Sequence, residues 1–315
     1  MCKKPLIILT GPTAVGKTAA SIGLAKAIGG EIISADSMQV YKYMDIGSAK
    51  ISKEEMDGVP HYLVDVLDPK DEFNVVRFQE MAKEAMDKIY ANGHIPIVVG
   101  GTGFYIQALL YDIDFTKEDD DKTYRNELEK LAEEKGAEHL HNMLREVDPK
   151  SADDIHANNV KRVIRALEYF HETGEKISEH NEKERQKESP YNSAYFVLSD
   201  ERSLLYERID KRVDKMMTSG LVEEVKTLKD MGLDIKDVSM QGLGYKEILS
   251  YLNGEISLED AIYILKRDTR HFAKRQLTWF KREKDVIWVD KNKFDHNEEA
   301  IKDFIVDTLK DKEII

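Results

Sequence analysis

The 315-residue chain has a single cysteine, Cys2, so it can form no internal disulfide, and a reducing, cytoplasmic setting is expected. Structural zinc is not expected either. Nine histidines are scattered along the chain. The closest pair, His139 and His141, falls at i, i+2 of a helix-like stretch, where side chains diverge, so both read as ordinary surface residues. Long apolar runs are missing. After Lys3 and Lys4 only Leu6 to Leu9 precede Gly11 and Pro12. That run is too short for a secretory signal, and no window supplies the ~20 apolar residues of a membrane span. Positive charge is in deficit as well, with 47 basic against 60 acidic residues and a net charge of −13. Non-specific attraction to nucleic acid is therefore excluded as a property of the whole chain, while a local basic face is not. Internal repeats, low-complexity tracts and flexible linkers are absent. The composition is 41% hydrophobic and 34% charged, which predicts a soluble protein of one large or two modest domains.

The first hundred residues alternate short β-like runs with amphipathic stretches, the pattern of a parallel sheet covered on both faces. Strands are expected at Leu6–Thr10, Glu31–Ala35, Tyr62–Val66 and Ile95–Val99. Between the last two, Val76, Met81, Ala85, Met86 and Ile89 recur at helical spacing until Asn92 and Gly93 stop the helix. From the acidic run Glu118-Asp119-Asp120-Asp121 to about Ser189 no strand is evident. Helices centred on Leu128, Leu140 and Ile164 are separated by Gly136, Pro149 and Gly174, which predicts an all-helical insertion. A strand at Tyr195–Leu198 returns to the sheet. Asp200 or Ser203 is the expected cap of a long helix carrying Leu205, Ile209, Val213 and Met216. A further helix starts at Ser257, three residues before Asp260, and runs through Trp279 to a last strand at Val286–Val289. The expected division is residues 1–115 and 190–315 for the core and 116–189 for the insertion.

Gly11-Pro12-Thr13-Ala14-Val15-Gly16-Lys17-Thr18 fits the P-loop pattern GxxxxGK[ST] at every required position, after an apolar strand and before an Ala-rich helix. The glycines let successive amides and the helix N-terminus face one anion. Lys17 supplies charge to the outer phosphates, and the Thr18 hydroxyl a ligand for magnesium. Other nucleotide signatures are incomplete. Gly101-Thr-Gly103 lacks the third glycine of a dinucleotide fingerprint. Asn292-Lys293-Phe294-Asp295 mimics a guanine-reading element, but no Asp-x-x-Gly segment accompanies it. Ile97–Val99 runs into glycines where a Walker-type ATPase places its carboxylate. Ligands of open parallel sheets sit outside the carboxyl ends of the strands. Two such ends stand out, Ser34-Ala35-Asp36-Ser37-Met38-Gln39 and Gly100-Gly101-Thr102-Gly103. Asp36, facing the P-loop, is placed to act as a base or acceptor, or else simply caps a turn.

Together these segments resemble the tRNA dimethylallyltransferase family over nearly the whole chain. The carriers are GPTAVGKT from Gly11, ISADSMQVYKYMDIGSAK from Ile33, VVGGTGFYIQALL from Val98 and KRVIRALE from Lys161. LLYERIDKRVDKMM from Leu204, QGLGYKE from Gln241 and AKRQLTWFKR from Ala273 complete the set. Ile51 follows GSAK where the family often has proline. The zinc finger of some eukaryotic members is missing, so no metal beyond magnesium is expected. The resemblance implies an α/β fold of the P-loop nucleoside-triphosphate-hydrolase type with an all-helical insertion domain. It also implies transfer of a dimethylallyl group from dimethylallyl diphosphate to N6 of the adenosine 3′ to the anticodon. Asp36, Thr102 and Arg212 are the implied catalytic residues, with Arg208 as the alternative arginine. Implied tRNA contacts are Asp36, Ser37, Met38, Gln39, Thr102, Arg125, Lys161, Arg162, Val163, Ile164, Arg165, Gln241, Gly242, Leu243, Gly244, Tyr245 and Lys246. The basic run Lys266, Arg267, Arg270, Lys274, Arg275, Lys281, Arg282 and Lys284 is a further candidate for RNA phosphate contact. The tRNA anticodon stem-loop and dimethylallyl diphosphate are the expected partners, with no membrane, and the chain is expected to be a monomer. Rival readings are a P-loop small-molecule kinase, a relative using free AMP as acceptor, and a GTP-dependent RNA-binding switch.

Overall fold

The computed structural model describes residues 3–115 and 123–315. Cys2, the acidic run Glu118–Asp121 and the expected boundary at residue 116 lie outside them. The chain divides into two compact units, Met1–Asp112 with Ser189–Ile315, and Ile113–Glu188.

In the first unit, strands β1 (Pro5–Thr10), β2 (Gly30–Ala35), β3 (His61–Tyr62), β4 (Ile95–Gly100), β5 (Asn192–Ser199) and β6 (Val286–Asp290) form one sheet in the order β3-β2-β4-β1-β5-β6. Every pairing is parallel, and β1 lies between β4 and β5, with Ile8 opposite Val98 and Tyr195. Alternation along the strands fills two cores, as expected of a sheet covered on both sides. Ile7, Leu9, Ile97, Phe196 and Leu198 face helices α1 (Lys17–Ile28) and, at the C-terminal end of the chain, Ile301, Ile305 and Leu309. Leu6, Ile8, Ile33, Val98 and Val197 face the opposite core. The helices there are α3 (Val75–Ala91), α4 (Gly103–Leu110), α10 (Arg202–Thr218), α11 (Leu221–Asp230), α12 (Tyr245–Leu252) and α13 (Leu258–Phe280); α2 (Lys53–Met56) is a short surface turn and α14 (Glu298–Asp311) carries the C-terminal isoleucines. Among the described residues no helix is long and apolar enough to cross a membrane.

Two local expectations are corrected. The strand expected at Tyr62–Val66 is only His61–Tyr62, because Leu63 and Asp65 both take left-handed backbone conformations, φ 61° and 58°, which break the ladder. Neither Asp200 nor Ser203 caps α10. Glu201 occupies the cap position without capping the helix amides through its side chain, and the wholly buried Asp200 carboxylate instead binds Arg208.

The second unit holds α5 (Thr123–Lys135), α6 (Ala137–Val147), α7 (Pro149–Asp154), α8 (Val160–Thr173) and α9 (Ile177–Gln186), with no strand among its described residues. Leu128, Leu140, Leu144, Val163, Ile164 and Leu167 make its core. Asp148, 1% exposed, accepts hydrogen bonds from the amides and hydroxyls of both Ser151 and Ser178, tying the start of α7 to α9. Burial opposes its ionisation, yet these bonds outweigh it and its pKa is lowered. His141 is a further correction. It is buried, and its Nε2 lies 2.8 Å from the carbonyl oxygens of Ala152 and Ile155, so it joins α6 to carbonyls at the end of α7 that lack a helical partner.

Candidate active site

The P-loop runs from the end of β1 into α1. Gly16 takes φ 96° immediately before the helix, a left-handed conformation that glycine adopts without penalty. Lys17 folds back over the loop, donating to the carbonyls of Gly11 at 3.0 Å and Pro12 at 2.9 Å. Burial, then the neighbouring charge of Arg212, push its pKa down to about 8, while Asp36 pulls in the opposite direction. Arg212, on α10, donates to the Thr13 hydroxyl at 3.4 Å. Desolvation lowers its pKa and Asp36 raises it. Lys17, Arg212 and Asp36 therefore share one electrostatic neighbourhood at the carboxyl ends of the strands. Arg208, one turn earlier, is held by Asp200 at 2.5 Å.

Asp36 follows β2 directly. Its Oδ1 accepts the amides of Met38 at 2.8 Å and Gln39 at 3.3 Å, so it caps the turn; no described residue donates to Oδ2. Gln39 donates onward to the Ala49 carbonyl at 3.1 Å. Ser37, Met38 and Gln39 are all partly exposed. Thr102 opens α4 with no side-chain cap, and its amide reaches the Ala35 carbonyl at 3.3 Å. The Asp36 and Thr102 turns are thus bonded to each other.

The 241–246 segment is only partly exposed. Tyr245 is wholly buried, with its hydroxyl donating to Glu224 at 2.8 Å and accepting from the Ser48 amide at 3.1 Å. Gly244 is buried as well, Leu243 packs on the core, and Lys246 lies 3.5 Å from the buried Glu247. Gly242 packs on the Met38 thioether, and Gln241 is exposed. In the second unit Lys161 and Arg162 are exposed and Arg165 partly so, while Val163 and Ile164 belong to the core. The side chains of Tyr245, Val163 and Ile164 are thus all buried. Arg125 donates to both carboxylate oxygens of Glu168 through Nε and Nη2, at 2.7 and 2.8 Å.

The basic run on α13 splits in two. Lys266 and Arg270 pair with Asp214 and Asp210 of α10, and Arg267 pairs with Asp268. His271, Lys274, Arg275, Thr278, Trp279 and Arg282 line an open depression. Sequence reasoning missed two residues that brace the loops. Gln276 bonds to the P-loop and to the Gly100–Gly103 turn, and Lys291, 5% exposed, reaches the Val15 carbonyl at 3.4 Å and pairs with Glu298. Lys291 directly precedes the segment that mimicked a guanine reader, and it is this lysine that buttresses the P-loop. A polar residue spaced among apolar helix positions was the available signal for Gln276.

The IPP transferase family model matches residues 39–283. The chain is 64% identical to a tRNA dimethylallyltransferase of Lachnoclostridium phytofermentans, over 99% of each chain. It is 52% identical to one of Acetivibrio thermocellus, over 94% of this chain and 95% of that one. Among solved structures, the full-length tRNA isopentenylpyrophosphate transferase of Bacillus halodurans superposes with a TM-score of 0.74 at 45% identity, covering 99% of this chain and 98% of that one. A eukaryotic dimethylallyltransferase acting on tRNA gives a TM-score of 0.79 at 33% identity, over 91% of this chain and 74% of its own. Similarity of this depth along nearly the whole length means that the chain belongs to the IPP transferase family of tRNA dimethylallyltransferases.

Proposed function

We propose that the chain transfers the dimethylallyl group of dimethylallyl diphosphate to N6 of the adenosine 3′ to the anticodon of tRNA, releasing diphosphate. The observation that carries this reading is the convergence of Lys17, Arg212 and Asp36: two cations for a leaving anion beside one carboxylate for a proton. Family membership supports it. The P-loop amides, Lys17 and Arg212 bind the diphosphate and stabilise the charge that develops as the allylic C–O bond breaks. The N6 lone pair is delocalised into the ring, which makes the amine a poor nucleophile. Oδ2 of Asp36 orients it and takes its proton as the C–N bond forms, while Oδ1 stays on the turn amides. Arg212 is preferred to Arg208 because Asp200 already holds the latter.

Magnesium fits the donor set. Thr18 is exposed at the first turn of α1, so its hydroxyl offers one hard oxygen, and the diphosphate and water would supply the others. Bound there, the ion would neutralise part of the leaving group's charge.

An adenosine in an anticodon loop must be unstacked to enter the cleft, and Ser37, Met38, Gln39, Thr102 and Gln241 line its approach as the proposed contacts. The test is to incubate the protein with labelled dimethylallyl diphosphate and unmodified tRNA, and to locate the label, with ATP and AMP in parallel arms. Label on N6 of that adenosine is expected; label on AMP alone, or phosphoryl transfer from ATP, would replace this reading by a rival. In single turnover Asp36→Asn should lose about 10²–10⁴-fold in rate with donor affinity retained. Parent-like turnover in that variant would remove Asp36 as the base.

A further inference from the structure

The Gln276 carboxamide lies between the two loops on which the reaction depends. Its Oε1 accepts the amide of Thr13 at 2.9 Å and its Nε2 donates to the carbonyl of Gly101 at 3.0 Å. These partners stand 263 and 175 residues away in sequence. The side chain is 6% exposed, so neither bond is exchanged freely for water. A side chain at Gly101 would overlap the Gln276 amide nitrogen, which explains why this turn carries glycine there.

The bridge continues on both sides. Thr13 is held through its hydroxyl by Arg212, and the residue after Gly101, Thr102, donates its amide to Ala35, directly before Asp36. One amide thereby joins the ends of β1, β4 and β2: the donor loop, the Thr102 turn and the strand end that carries the proposed base. Few side chains can do this. The Thr13 N–H requires an acceptor and the Gly101 C=O requires a donor, so a carboxylate or an ammonium satisfies only one of them. Asparagine has the right groups but is one methylene too short to reach both. The Thr13 N–H is already occupied, so Gln276 takes an amide out of the phosphate nest instead of adding a ligand to it.

We propose that Gln276 is a positioning residue, which fixes the separation of the diphosphate site from the Asp36–Thr102 turn and touches neither substrate. The proposal rests on the dimethylallyl-transfer reading. Helix α13 is suited to hold such a bridge: its inner face is packed through Ala273 beside Ala14 and through the buried Phe280, and Lys266 and Arg270 clamp its first half to α10.

The experiment uses the full chain with Gln276→Met, which loses both bonds at similar volume, and Gln276→Glu, which keeps the Thr13 bond and opposes the Gly101 carbonyl with a second acceptor. Single-turnover transfer at saturating donor and tRNA, separate affinities for each substrate, and hydrogen exchange of the Thr13 amide in the free protein are measured. Transfer should fall in both variants, by up to about 100-fold as expected for misplacement of reacting groups, with both affinities at the parent value. Thr13 protection should be lost in Gln276→Met and kept in Gln276→Glu. Parent-like transfer in Gln276→Met, or a loss that appears wholly as weaker substrate affinity, would overturn the positioning role. Unprotected Thr13 in the parent would overturn the bridge itself. A parent that transfers no dimethylallyl group would instead overturn the functional reading, with the exchange result on Thr13 still standing.

Discussion

Lys17 is the only charged side chain of the P-loop, and its charge is unusually easy to lose. Its ammonium is satisfied by two neutral carbonyls, and burial followed by repulsion from Arg212 brings its pKa to about 8. Below that pH the lysine is charged, and above it neutral. An anionic diphosphate prefers the charged form, so binding raises the pKa and takes up a proton near pH 8. Donor affinity is therefore expected to be highest below pH 8 and to fall as pH rises through it. Arg212→Ala should weaken binding at every pH, and it should also move this decline to higher pH, because the repelling neighbour is gone. Calorimetric titration of the donor from about pH 6 to about pH 10 in two buffers of different ionisation enthalpy checks both statements. A flat affinity across that range, with no proton uptake, would mean that Lys17 is held charged by something other than the groups around it here.

The segment from Asp36 to Lys50 has little regular structure and is fixed from outside. Glu224, on α11, accepts the consecutive amides of Asp45, Ile46 and Gly47 at 2.9, 2.7 and 3.0 Å, as a bound anion would be held in a backbone nest. Tyr245 donates to the same carboxylate and accepts from the next amide, Ser48, and Tyr41 is buried edge-on against Phe73, with ring centroids 6.3 Å apart. Removing the carboxylate in Glu224→Ala strands three amides, which predicts a loss of about 1–3 kcal/mol in denaturant unfolding. Tyr245→Phe should lose less, about 1 kcal/mol, and the pair should be non-additive because the two side chains share a hydrogen bond. Additive losses would show that the two anchors act separately. None of this network is readable along the chain, since Glu224 lies far in sequence from the amides that it binds and looks like any other helix-surface carboxylate. What was legible follows from local rules: β1, β2 and β4 are apolar runs ended by glycine or by a polar turn, and the cap of α13 at Ser257 accepts from the Asp260 amide as its spacing predicts. The P-loop was legible because all of its parts are contiguous. Gln276 and the short β3 were not, the first because its partners are distant in sequence, the second because two left-handed residues interrupt an apolar run without any glycine to announce them.

A protein with net charge −13 must bind an anionic polymer through confined basic surfaces. Lys266, Arg267 and Arg270 on α13 are paired to nearby carboxylates, so charge counting along the run overstates what RNA can meet. Lys274 and Arg275 remain exposed in the first unit, and Lys161 and Arg162 in the second. Each phosphate contact releases counterions and contributes about −0.7 to −0.9 to the slope of log affinity against log salt. Lys274→Ala with Arg275→Ala should flatten the slope for tRNA by up to about two such contacts, and Lys161→Ala with Arg162→Ala should do the same independently. Because the two pairs sit in different compact units and share no side-chain partner, the four-site variant should show the sum. Donor affinity should be unchanged in all of them, since none of these residues touches the P-loop. The measurement is filter binding of unmodified tRNA over a salt series for the parent and the three variants. A parental slope in the Lys274/Arg275 variant would make the outer face of α13 a solvated surface and leave the second unit to carry the phosphate contacts; a parental slope in the other pair would reverse that assignment.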